Sequence, residues 1–71
     1  MKKKVLRNGW TIFIDENEFK SIIDKNKVFL FYDDLKVVSE FEITTESVVV
    51  KSIFYRVKIY FSSTNKTLII S

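Results

Sequence analysis

From Lys51 to Phe61 the chain alternates, with Ile53, Tyr55, Val57, Ile59 and Phe61 on one side and Phe54, Arg56, Lys58 and Tyr60 on the other. A period of two predicts a strand with one face on a core. The alternation extends upstream, but its parity changes. If Ile43 opposes Val48 across the loop 44–47, then Val48 and Val50 point inward, whereas after Ser52 the inward set is Ile53, Tyr55, Val57, Ile59 and Phe61. One inserted residue repairs the mismatch, so the pattern predicts a long strand over 48–61 with a β-bulge or sharp bend near Lys51-Ser52.

The same reading orders the rest of the chain. Asn8-Gly9 is the strongest short hairpin signal, and it predicts strands over 3–7 and 10–14 with Arg7 opposite Trp10 in a cation–π contact. Phe19, Ile22 and Ile23 follow the i, i+3, i+4 spacing of a helix stripe. With Asp15 and Glu18 as a capping box, they predict a short helix over 16–25. The run 27–32, apolar on both sides, reads as a central strand with both faces covered. A turn at Asp33-Asp34 would lead into 35–43, with Leu35, Val37, Phe41 and Ile43 facing inward, and would set Tyr32 against Leu35, Leu30 against Val37 and Lys27 against Glu40. The final strand, 67–71, pairs back on 57–61 and forms an edge guarded by Lys66 alone. The expected fold is α+β and mostly β: ββαββββ, a curved antiparallel sheet or small barrel with one short helix. The order of helix, hairpin and long bent strand resembles the Sm-like barrels in outline. Residues 35–43 lack the glycine at which that family's strand bends, so no family is assigned.

Seventy-one residues make a single small domain, 1–71, of marginal stability at this size. With no cysteine, the chain has neither a disulfide nor a thiolate zinc site. A core drawn from a chain that is 46% hydrophobic and has seven phenylalanines, or an oligomer, must supply the stability. No apolar run approaches the roughly 20 residues of a membrane helix, and the basic start lacks the apolar segment of a secretory signal. A cytoplasmic protein without membrane contact is expected. Charge is unevenly spread: residues 1–7 carry +4, residues 8–46 carry −5, and residues 47–71 carry +4. Brought together, the two basic ends would form one positive region.

Candidate chemistry is sparse. Without histidine or cysteine there is no Ser-His or Cys-His pair. One glycine cannot build a phosphate loop, and Asp33-Asp34 offers too few oxygens for a hard cation. Glu40 and Glu42 read as an outer strand face, and Asn65-Lys66-Thr67 as a turn. No enzyme, cofactor or metal is expected. Two binding roles remain, both using Phe54, Arg56, Lys58 and Tyr60, supported by Trp10, Arg7 and the basic N-terminus Lys2, Lys3 and Lys4. The preferred role is protein–protein contact, including a homodimer, because Tyr, Trp, Phe and Arg are the residues of interface hot spots. The alternative is single-stranded DNA or RNA, with bases stacked on the aromatics and phosphates on the cations. The chain has no Ala, Pro or Gln and is rich in Lys, Ile and Asn. That bias accompanies AT-rich coding DNA and, with the small size, points to a phage or mobile-element inhibitor or adaptor of a host machine.

Overall fold

The computed structural model describes residues 1–32 and 36–71. Its elements are eight strands: β1 (Lys2–Val5), β2 (Thr11–Ile14), β3 (Lys20–Asp24), β4 (Lys27–Tyr32), β5 (Lys36–Ile43), β6 (Val48–Ser52), β7 (Ile59–Ser62) and β8 (Thr67–Ile70). They form two four-stranded sheets, in the orders β1-β2-β8-β7 and β3-β4-β5-β6. Every pairing is antiparallel except that of β2 with β8. The first sheet turns Ile12, Ile14, Leu68 and Ile70 inward; the second turns Val28, Leu30, Phe41 and Ile43 inward; all are fully buried. With Leu6, Trp10, Phe19 and Val57 they make one core cluster, the filling of a β-sandwich. The mostly-β expectation holds. The closed barrel does not, because each sheet ends in two open edges.

The helix over 16–25 is absent; residues 20–24 are β3. Phe19, Ser21 and Ile23 point inward with the period of a strand, while Ile22 is 53% exposed. A ten-residue helix is marginal in water, whereas β3 gains a full ladder against β4 through the tight turn Lys25-Asn26. Glu16, not Glu18, does the local capping: its carboxylate accepts from the Ser21 N–H and hydroxyl, both at 2.7 Å. The loss of the helix also removes the outline shared with Sm-like barrels. On β4, Phe29 and Phe31 stay half-buried on the outer face, which no further sheet among the described residues covers.

The Asn8-Gly9 hairpin forms with a three-residue loop. Leu6 N–H donates to the Trp10 carbonyl at 2.7 Å and Gly9 N–H to the Leu6 carbonyl at 3.1 Å. Gly9 takes φ +97°, which a side chain would strain. Leu6 therefore opposes Trp10, both buried, and Arg7 does not face the indole. The cation–π contact in this hairpin is Lys3 over Phe13, 5.8 Å from the ring centre.

The long strand over 48–61 is two strands in different sheets. The bulge lies where the parity change placed it: Phe41 opposes Val50 and Glu40 opposes Ser52, leaving Lys51 unmatched. Beyond it the chain leaves the second sheet, turns through Phe54–Val57 with Val57 N–H on the Phe54 carbonyl at 2.9 Å, and enters the first sheet as β7. Val57 is buried and Ile59 half-buried, but Ile53, Tyr55 and Phe61, expected in the core, are 45%, 84% and 54% exposed. A second bulge, at Val38, resets the β4–β5 register: Phe31 opposes Val37, Leu30 opposes Ser39 and Lys27 opposes Glu42. Val37 consequently faces out, 47% exposed. The Asp33-Asp34 turn and the Tyr32–Leu35 pair lie outside the described residues. β8 is an inner strand between β2 and β7, not an edge.

Candidate functional site

The expected binding face does not assemble on one strand. Phe54 packs half-buried against Tyr32, ring centres 5.4 Å apart, and against Tyr55 at 4.7 Å. Arg56, in the turn, meets Glu18 at 3.6 Å. Lys58 is exposed, its main chain paired with Ser71. Tyr60 stands on the outer face of the first sheet, 63% exposed. Trp10 is fully buried and donates its indole N–H to the Thr45 carbonyl at 3.1 Å, so it ties the first hairpin to the 44–47 loop and presents no surface.

The basic N-terminus also diverges. Lys2 reaches β3, donating to the Ser21 carbonyl at 3.1 Å and hydroxyl at 3.0 Å, 4.0 Å from the Glu16 carboxylate. Lys3 covers Phe13 on the outer face. Lys4 and Arg7 line a cleft between the β1 side and the β3–β4 turn.

Lys2, Ser21 and Glu16 thereby clasp one side of the sandwich. The Ser21 hydroxyl bond, ahead of its amide and of Lys2 and Lys20, holds the Glu16 carboxyl below its ordinary value of 4.5. A carboxylate with a depressed folded value stabilises the fold fully above the unfolded value, and that contribution is lost as pH falls through the folded one. Carbon-detected NMR titration should therefore place the Glu16 midpoint below 4.5, and Ser21→Ala should move it back up. An unchanged midpoint in Ser21→Ala would remove the serine from this role.

What the fold does bring together lies on the first sheet. The registers align Lys3, Phe13, Ile69 and Tyr60 in one row across its outer face. Phe13 and Ile69 do not stand out in the sequence, because the Asn8-Gly9 turn that sets strand 10–14 does not say which of its faces points outward. The row ends at β7, an edge.

The four sheet edges differ in their protection. β1 carries three lysines, β3 has Lys20 and Asp24 at its ends, and β6 has the bulge with Lys51 held at 3.6 Å from Glu42. Charges and bulges of this kind block strand addition. β7, Ile59-Tyr60-Phe61-Ser62, has none of them within the strand, and its one flanking charge is Lys58. Lys58 and Ser71 exchange both main-chain bonds, at 2.7 and 2.9 Å. By the antiparallel alternation, Tyr60 and Ser62 also bond β8, whereas the main-chain groups of Ile59 and Phe61 point to the open side. On the β6–β7 side, Val50 and Phe61 are directed inward by their partners Phe41 and Leu68, yet are 42% and 54% exposed. The sandwich is unfilled there.

No helix of the described residues is long and apolar enough to cross a membrane. No protein-family model, curated protein or solved structure shows significant similarity to the chain.

Proposed function

We propose that the protein is a non-enzymatic binding module that works by protein–protein contact, with β7 as its docking strand and a second copy of the chain as its partner. The carrying observation is that β7 alone among the four edge strands has no charge, bulge or clasp within the strand itself, Lys58 only flanking it. Its register with itself is self-complementary. A two-fold axis at Tyr60 sets Ile59 against Phe61 of the second copy, joining the main-chain groups that β8 leaves free, and sets Lys58 against Ser62, so no like charges meet. The two first sheets then run on as one. Four residues of ladder are too little area alone, since stable interfaces take about 800 Å² per partner. Phe61, Tyr60, Val50 and the exposed Ile53 and Tyr55 on the approach to β7 supply the apolar remainder.

Sedimentation equilibrium from about 1 μM to about 0.5 mM tests this, as that span brackets micromolar affinities. The expected result is a rise from 8.4 kDa toward twice that mass, abolished by Phe61→Lys. A monomer throughout, or a dimer indifferent to Phe61→Lys, overturns the proposal. A second reading, single-stranded nucleic acid stacked on the first sheet, rests on the row Lys3, Phe13, Ile69 and Tyr60. Salt-sensitive binding of oligothymidine by a strict monomer would favour it over the dimer.

A further inference from the structure

We infer that the cleft between β1 and the β3–β4 turn is a binding site for a phosphate-bearing ligand of about nucleotide size. The cleft holds about 790 Å³, within the usual range for small-molecule sites. Three elements bring cations to it: Lys4 from β1, Arg7 from the first hairpin loop and Lys25 from the β3–β4 turn. No carboxylate lines it. Like most cations of the described residues, Lys4, Arg7 and Lys25 form no ion pair; what sets them apart is that they converge on one cleft. Asp24, next to Lys25 in the chain, lies on the outer face opposite Lys27.

Converging unpaired like charges disfavours the folded state through self-repulsion. A second local rule is broken at the same place. Lys25 holds φ 56°, the left-handed region that a two-residue hairpin turn normally gives to Asn, Asp or Gly. Such violations cluster where function opposes stability. An anion held by the three cations would offset the repulsion, and Arg7 would add a planar fork of donors suited to phosphate.

The rest of the lining argues for a body beyond the phosphate. Leu6 and Ile23 form an apolar floor. The carboxamides of Asn8 and Asn26 both donate to the Ile43 carbonyl, at 2.9 and 3.3 Å, so they brace the cleft walls. Thr45, at the rim, accepts the Trp10 indole bond, which makes the single tryptophan a reporter.

The test uses the full chain with pyrophosphate, adenosine diphosphate and adenosine as probes, followed by amide NMR and Trp10 fluorescence. Both phosphorylated probes should shift the Arg7, Lys25 and Thr45 amides and bind more weakly as salt rises. Lys25→Asn is the decisive variant, because asparagine suits the positive φ and the fold is retained. It should weaken both probes by about tenfold, and Arg7→Gln should do the same. Three results would overturn the site: no shift at millimolar pyrophosphate, affinity unchanged in Lys25→Asn and Arg7→Gln, or adenosine acting as strongly as the diphosphate.

Discussion

Trp10→Ala is expected to lower the stability of the fold by about 3–5 kcal/mol. The indole is fully buried, at the junction of the first hairpin and the 44–47 loop, and is among the largest side chains of the core. Truncating a buried Phe or Trp to Ala costs about 3–5 kcal/mol, from lost transfer energy and the cavity left behind. A domain of 71 residues has a total stability of about 4–10 kcal/mol at the usual value per residue. One substitution therefore removes a third or more of it, and nearly all of it at the lower end. Trp10→Phe keeps most of the apolar volume and gives up the bond to Thr45, so it should fold with a lower urea midpoint. Circular dichroism against urea distinguishes the two. A Trp10→Ala protein within about 1 kcal/mol of the parent would contradict the burial on which the core is built.

The places where the fold departs from the sequence pattern have a common physical source. Two inward positions that a strand pattern would fill with apolar residues are serines, Ser21 on β3 and Ser39 on β5, both buried. Each is satisfied by a dedicated partner: Ser21 by Glu16 and Lys2, and Ser39 by the Phe54 amide, which donates to its hydroxyl at 2.9 Å. A satisfied buried hydroxyl is stable, but it erases one beat of the alternation. At β3 the lost beat left Phe19, Ile22 and Ile23 to imitate a helix. At β5 Ser39 and the bulge at Val38 together displaced the register against β4. Where the inward residues are apolar, the expected strand is present over 27–32 and the expected pair at Ile43 and Val48.

The candidate site was legible only in pieces. Lys4, Arg7 and Tyr60 stood out in the sequence, but their neighbours in space did not. Lys25 joins Lys4 and Arg7 only because β3 is a strand whose turn reaches the β1 side. Tyr60 joins Phe13 only because β8 inserts between β2 and β7, parallel to the first. The alternation 53–61 reads as one surface because nothing in its residues marks the turn at 54–57, where the chain passes from one sheet to the other. A parity change can mark a change of sheet as well as a bulge, and here it marks both.

Phe41 and Phe61 show what that distinction is worth, since both read as inward-facing from the sequence. Phe41→Ala should destabilise the chain by about 3–5 kcal/mol at every protein concentration, because the ring is fully buried between the sheets. Phe61→Ala removes a ring that is 54% exposed at the open β6–β7 side. In the monomer its cost should be at most about 1 kcal/mol, the scale of substitutions away from the packed core. If β7 docks on a second copy, the parent chain gains stability with concentration by mass action, and Phe61→Ala should lose that gain while keeping the dilute-limit value. Urea unfolding of both variants, each at micromolar and near-millimolar concentration, reads the two effects separately. A Phe61→Ala protein as damaged as Phe41→Ala in dilute solution would put Phe61 in the core and take away the open edge. A parent chain with the same midpoint at both concentrations would leave that edge without the partner proposed for it.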